Sequence, residues 1–212
     1  MRLTMRLKTK ICGLTTPEAV DAAAPADAVG FLFVAASPRA VTPALARPLI
    51  ARARPLAVGV FADAEDALIA AAIEAGVKVL QLHGRETPAR VAEVKARFGL
   101  PVWKGVGVAT AEDVREALAA YPMADRLLLD AKPPAGAAIE GGHGRRFDWT
   151  ILAEARPARP WILAGGITPE TLADAVRATG ADFVDVSSGV EDAPGVKSLA
   201  KLEAFLNEAA RV

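Results

Sequence analysis

Eight short apolar runs recur along this chain, and each is followed by a longer stretch with helical spacing. This alternation limits the fold more than any other feature of the sequence. The runs are Leu7–Cys12, Ala28–Phe33, Leu56–Phe61, Val77–Gln81, Val102–Val106, Arg126–Asp130, Trp161–Ala164 and Phe183–Val186. They are short and often continuously apolar, as parallel strands covered by helices should be. Thr16-Pro17, Thr42-Pro43 and Thr168-Pro169 read as capped helix starts with proline in the first turn. Helical patterns over Asp63–Ala75, Thr87–Phe98 and Thr171–Thr179 run into Gly76, Gly99 and Gly180, which suit left-handed C-caps. Thr110–Ala120, Asp148–Ala155 and Ser198–Ala210 complete the set.

Eight such units fill 212 residues with no segment to spare. Right-handed crossovers allow either an open doubly wound sheet or a closed barrel. Eight units at this length favour a single-domain α/β (β/α)8 TIM barrel over residues 1–212, near the lower end of the usual ~200 to 400 residues. Residues 1–6 read as an N-terminal extension, with Met5 an alternative start, since the strand pattern begins only near Leu7.

Composition removes several function classes. Twenty-five basic and 25 acidic residues cancel, so no broad field steers nucleic acid. No apolar run reaches the ~20 residues of a membrane helix, and the N-terminus lacks a signal core. A cytoplasmic protein without nucleic-acid or membrane partners is expected. Cys12 is the sole cysteine and His83 and His143 are the sole histidines, so neither a disulfide nor a zinc site is expected. A monomer is favoured, with a dimer as the alternative.

In such a barrel the functional groups stand at the C-terminal ends of the strands. Those ends read Cys12-Gly13, then Ser37-Pro38-Arg39 beyond the second run, Gln81-Leu82-His83-Gly84, Asp130, Gly165-Gly166 and Asp185-Val186-Ser187-Ser188-Gly189. Glycines after strand seven and Ser-Ser-Gly after strand eight suit a phosphate, through backbone N–H groups and serine hydroxyls. Cys12 is either core filler or a reactive thiol. Lys10, two residues earlier, shares its face and would favour the thiolate. Asp130 closes an apolar run, where burial would raise its pKa and make it a usable acid. Arg39 is either a surface cation or a fork for a carboxylate. His83 reads as a turn residue bonded to backbone. The Gly/Pro-rich stretch Ala131–Gly136 with Gly141-Gly142-His143-Gly144 reads as a lid over the mouth.

Lys10–Thr15, Gly30–Phe33 with Ser37-Pro38-Arg39, Val58–Phe61, Leu80–Gly84, Leu128–Asp130, Phe147–Trp149, Leu163–Ile167 and Asp185–Glu191 together resemble the phosphoribosylanthranilate isomerases. The resemblance runs from about Lys8 to the last helix. It implies a cofactor-free Amadori rearrangement of a phosphorylated aminosugar, with Cys12 as general base and Asp130 as general acid. It implies that Arg39 binds the anthranilate carboxylate and that Gly165, Gly166, Ser187, Ser188 and Gly189 hold the phosphate. Asp185 would orient groups beside the base, and Gly142 would touch substrate from the lid. Two positions depart from the family pattern: His143 replaces threonine in Gly-Gly-Thr-Gly, and Gly105 stands where alanine usually follows the strand-five lysine. The rivals are the sister barrel of histidine biosynthesis, which has aspartate at the Cys12 position, indole-glycerol-phosphate synthase, and a non-catalytic phosphosugar-binding protein.

Overall fold

A computed structural model describes residues 6–132 and 148–212. Eight parallel strands close into a barrel in the order β1 to β8. They are β1 (Lys8–Cys12), β2 (Ala28–Leu32), β3 (Leu56–Phe61), β4 (Val79–Leu82), β5 (Val102–Val108), β6 (Arg126–Ala131), β7 (Trp161–Leu163) and β8 (Phe183–Val186). The ring is completed where Lys8–Ile11 pairs with Phe183–Val186. The alternation of strand and helix patterns therefore resolves into the barrel, not the open sheet.

The helices are α1 (Pro17–Ala22), α2 (Pro43–Arg52), α3 (Asp66–Glu74), α4 (Pro88–Phe98), α5 (Ala111–Ala120), α6 (Ile151–Glu154), α7 (Leu172–Thr179) and α8 (Leu199–Ala209). The hydroxyls of Thr16, Thr42, Thr87 and Thr110 each accept the N–H three residues on. Such a cap is worth ~1 kcal/mol. Gly99 and Gly180 take the left-handed cap conformation, with φ of 65° in each. Thr168 does not start a helix. Its backbone and hydroxyl bond within a turn to Thr171, and α7 begins only at Leu172. Asp63 sits at φ 50° in the loop before α3, which therefore starts later than the pattern suggested. The sixth helix shrinks to Ile151–Glu154, because Asp148 draws the Thr150 N–H into a local turn.

Period-two alternation divides each strand between two cores. The outward side chains pack under the helices in one large aliphatic cluster. The inward ones fill the lower barrel with Ala28, Val58, Val79, Trp103, Leu128, Ile162, Ala164 and Phe183. Trp103 meets Phe183 edge-on, with ring centroids 5.8 Å apart. The same inward columns, continued upward, carry Lys10 and Cys12 on β1, Gln81 and then His83 beyond β4, Asp130 on β6, and Asp185 and then Ser187 beyond β8. The alternation that packs the floor thus also places the polar residues at the mouth.

Candidate active site

The mouth encloses about 870 Å³ of atom-free space, part of it open to solvent. Cys12, Arg39, Asp130, Gly165, Gly166, Asp185, Ser187, Ser188 and Gly189 all line it. These sequence-selected residues are therefore brought together. Gly142, and with it the expected lid contact and His143, lies outside the described residues.

Strand register builds the first wall. Lys10 is opposite Asp185 across the β1–β8 seam, and Cys12 is opposite Gly30 on β2. Lys10 is fully buried, its Nζ donates to Asp185 Oδ1 at 2.9 Å, and its charge acts on the Cys12 thiol. Burial alone would lower the Lys10 pKa, but Asp185 and Cys12 together outweigh it and hold the ammonium above its ordinary value. Gly30 leaves the room this requires. A Cβ there would lie 2.8 Å from Cys12 Sγ and 3.1 Å from Lys10 Nζ.

The lowered thiol pKa expected at Cys12 is not what its surroundings favour. Burial pushes the thiol pKa up, and Lys10 only partly counters it because Asp185 pushes the same way as burial. The ammonium predicted to activate the thiol is shared with a carboxylate 175 residues away in sequence, a partner that Lys10 and Cys12 alone could not reveal.

Arg39 does hold a carboxylate, but an internal one. Its Nε and Nη2 donate to Glu191 Oε1 and Oε2, each at 2.7 Å, and both side chains are buried. Nη1 makes no hydrogen bond among the described residues. Lys197 Nζ joins from the other side, donating to Glu191 Oε1 at 2.7 Å and to Ser187 O at 2.9 Å. Burial alone would raise the Glu191 pKa, yet the hydrogen bonds from Arg39 and Lys197 hold it below its ordinary value. Lys197 escaped the sequence reading because it sits on a small antiparallel hairpin, β9 (Glu191–Ala193) and β10 (Val196–Lys197), with no strand-length pattern of its own.

The loops after β7 and β8 touch. A Cβ on Gly189 would overlap the Ile167 carbonyl, lying 2.9 Å from its carbon. Gly165 and Gly166 take φ of 86° and 66°, conformations that exclude most side chains. Their N–H groups make no hydrogen bond among the described residues. Two backbone donors are thus left open beside the short helical turn Ser188–Val190, an arrangement that suits an anion. The Ser187 hydroxyl is already donating to Cys12 O at 3.1 Å, so it ties β1 to β8.

The opposite wall comes from β4, β5 and β6. Asp130 Oδ1 accepts its neighbour's N–H, Ala131 N, at 2.7 Å, and Oδ2 lies 3.6 Å from His83 Nε2. His83 is therefore part of the site, not only a turn residue, although its backbone N–H does bond to Phe61 O. Gln81, buried beside it, places Nε2 2.9 Å from His83 Nδ1. Behind the wall, Glu86 accepts the N–H groups of Asp63 and Gly84 and the Lys104 ammonium, each at 2.9 Å. That network fixes the loop after β4 from outside. Gln81 and His83 could have been found from the sequence, since period two carries the inward column of β4 straight through both.

Among the described residues no cluster of His, Cys, Asp and Glu could hold a metal ion, and no helix is long and apolar enough to cross a membrane.

Comparison with known proteins follows the same lines. Residues 9–208 match the family model of N-(5'-phosphoribosyl)anthranilate (PRA) isomerase. The N-(5'-phosphoribosyl)anthranilate isomerase of Cereibacter sphaeroides is 51% identical over 208 residues, covering 96% of this chain and 98% of that one. The crystal structure of phosphoribosyl anthranilate isomerase from Thermotoga maritima superposes with a TM-score of 0.86 at 32% identity, covering 97% of this chain and 100% of that one. A phosphoribosyl anthranilate isomerase solved with reduced 1-(o-carboxyphenylamino)-1-deoxyribulose 5-phosphate superposes with a TM-score of 0.83 at 31% identity, over 97% of this chain and 100% of that one.

Proposed function

The chain belongs to the N-(5'-phosphoribosyl)anthranilate isomerase family, and from that premise we propose that it catalyses the Amadori rearrangement of N-(5'-phosphoribosyl)anthranilate. The product is 1-(2-carboxyphenylamino)-1-deoxyribulose 5-phosphate, and the step is the third from chorismate to tryptophan. The observation that carries this reading is a buried thiol and a carboxyl group lining one cavity, together with the two open glycine N–H groups of the β7 loop.

Asp130 protonates the furanose ring oxygen, and the ring opens to a Schiff base. Cys12 removes the proton from C2', which gives an enolamine that tautomerises to the ketose. One proton enters at oxygen and one leaves carbon, so no redox carrier is required. The phosphate is held by the backbone of Gly165 and Gly166 with Ser188 and Gly189. Arg39 reaches the anthranilate carboxylate with the Nη1 that Glu191 leaves free. Ser187 and Asp185 act from behind, the first through the Cys12 backbone and the second through Lys10.

The raised thiol pKa sets the pH behaviour. The base works as thiolate, so turnover limited by proton removal climbs with pH to beyond the ~8.5 of an exposed thiol. Turnover is followed by loss of anthranilate fluorescence. Replacing Cys12 with serine is expected to cut kcat ~10²–10⁴-fold while product affinity changes little. Wild-type turnover in Cys12→Ser would remove the base assignment. No turnover in the unmodified chain would remove the function.

A further inference from the structure

The Gln81 side chain is 1% exposed, and among the described residues its Oε1 has no hydrogen-bond partner. Among the described residues its one side-chain hydrogen bond joins Nε2 to His83 Nδ1 at 2.9 Å. In this orientation the amide NH2 donates and Nδ1 accepts, the pairing that a neutral imidazole with its proton on Nε2 makes. That nitrogen is the one facing Asp130 Oδ2. Gly105, on the neighbouring strand, leaves the ring its seat. A Cβ at position 105 would lie 2.6 Å from the imidazole Cγ and 2.7 Å from Cε1. Cγ is the root of the ring, so it can yield only by turning the whole side chain away from Asp130.

We propose that His83 is a positioning residue for Asp130: its imidazole, seated in the notch left by Gly105 and held as the Nε2–H tautomer by Gln81, aims an N–H at Oδ2. This rests on Asp130 being the general acid. Once Asp130 has given its proton to the sugar, the resulting carboxylate is met by two N–H donors that stand ready beforehand, Ala131 on Oδ1 and His83 on Oδ2. The 3.6 Å separation is longer than a formed hydrogen bond, and it closes as charge develops on the oxygen. Gly105 thereby serves the acid without touching it.

The test uses the full-length chain. His83→Leu and Gly105→Ala should each lower kcat at least tenfold, with KM changed less than threefold, because the contact strengthens only as charge appears. His83→Gln, which can present an amide N–H at similar reach, should recover most of the loss. In a His83→Ala background, Gly105→Ala should cost nothing further, since the new methyl enters vacated space. Equal losses from Gly105→Ala in both backgrounds, or full kcat in His83→Leu, would overturn the proposal. Thermal melts identify any variant that fails to fold, and His83→Leu, close to constant in volume, carries the test if Gly105→Ala is one of them. Histidine 15N spectra of the free protein, assigned with His83→Gln, should show Nδ1 unprotonated; a proton on Nδ1 overturns the tautomer. Absence of turnover in the unmodified chain would instead fail the functional reading, and the 15N spectrum would still decide how the ring is held.

Discussion

On the β1–β2–β8 wall of the mouth, charge is matched by charge. Lys10 faces Asp185, and Glu191 is shared by Arg39 and Lys197, all of them buried. On the β4–β5–β6 wall the inward groups are sparsely partnered. Gln81 Oε1 has no partner among the described residues, and His83 stands 3.6 Å from Asp130. The first wall holds fixed charges around a thiol whose pKa burial pushes up. The second keeps its hydrogen-bonding capacity unspent until a ligand or a developing charge claims it. A buried ion pair is costly to break because the surviving charge has no solvent, whereas an under-used neutral group loses little when replaced. The contrast teaches that one side of the cavity fixes its base among buried charge pairs, while the other leaves the groups around its acid free to respond.

The largest expected effect falls on the second wall. Asp130→Asn removes the acid and should lower kcat ~10²–10⁴-fold while product affinity, measured by calorimetry, stays within a few-fold. A loss below tenfold would mean that the carboxyl is not the acid. On the first wall, apart from Cys12 itself, the effect should be on folding. Glu191→Gln leaves two buried cations without their carboxylate and should cost ~3–5 kcal/mol in urea unfolding. A cost below 1 kcal/mol would show that water already screens the cluster.

Smaller effects sharpen the contrast. Lys10→Met removes the cation that counters burial at Cys12, so the thiol pKa should move further up. Iodoacetamide labelling of the variant should then need a higher pH than labelling of the unmodified chain. A downward move would mean that Asp185, freed from Lys10, no longer acts on the thiol. Gly30→Ala should overpack against Cys12 and Lys10 and cost ~1–3 kcal/mol of stability. Gln81→Leu should cost only ~1 kcal/mol, since it deletes one hydrogen bond, to His83, and an acceptor with no partner among the described residues. A large loss there would erase the distinction between the walls.

Much of this was legible in the sequence because period two is a local signal. The inward columns follow from it, and so do Cys12, Asp130, Asp185 and the glycine loops. The partners of those residues were not legible, because they are set by closure. Lys10 meets Asp185 only after β8 returns beside β1, and Arg39 meets Glu191 across 152 residues. The thiol was therefore expected to be activated when burial in fact dominates it. Gly105 stood out as a departure from the family pattern, but only the position of the His83 ring gives the missing methyl a consequence. Lys197 belongs to a hairpin of three and two residues, too short to leave a pattern.

A crystal structure with a reduced product analogue bound tests the central claim most directly. The account predicts Cys12 Sγ beside C2' and the Asp130 carboxyl beside the oxygen released from the ring, on opposite sides of one pentose chain. It also predicts phosphate oxygens on the N–H groups of Gly165 and Gly166. A ligand seated with its phosphate away from those glycines, or with either side chain beyond reach of the sugar, would contradict it.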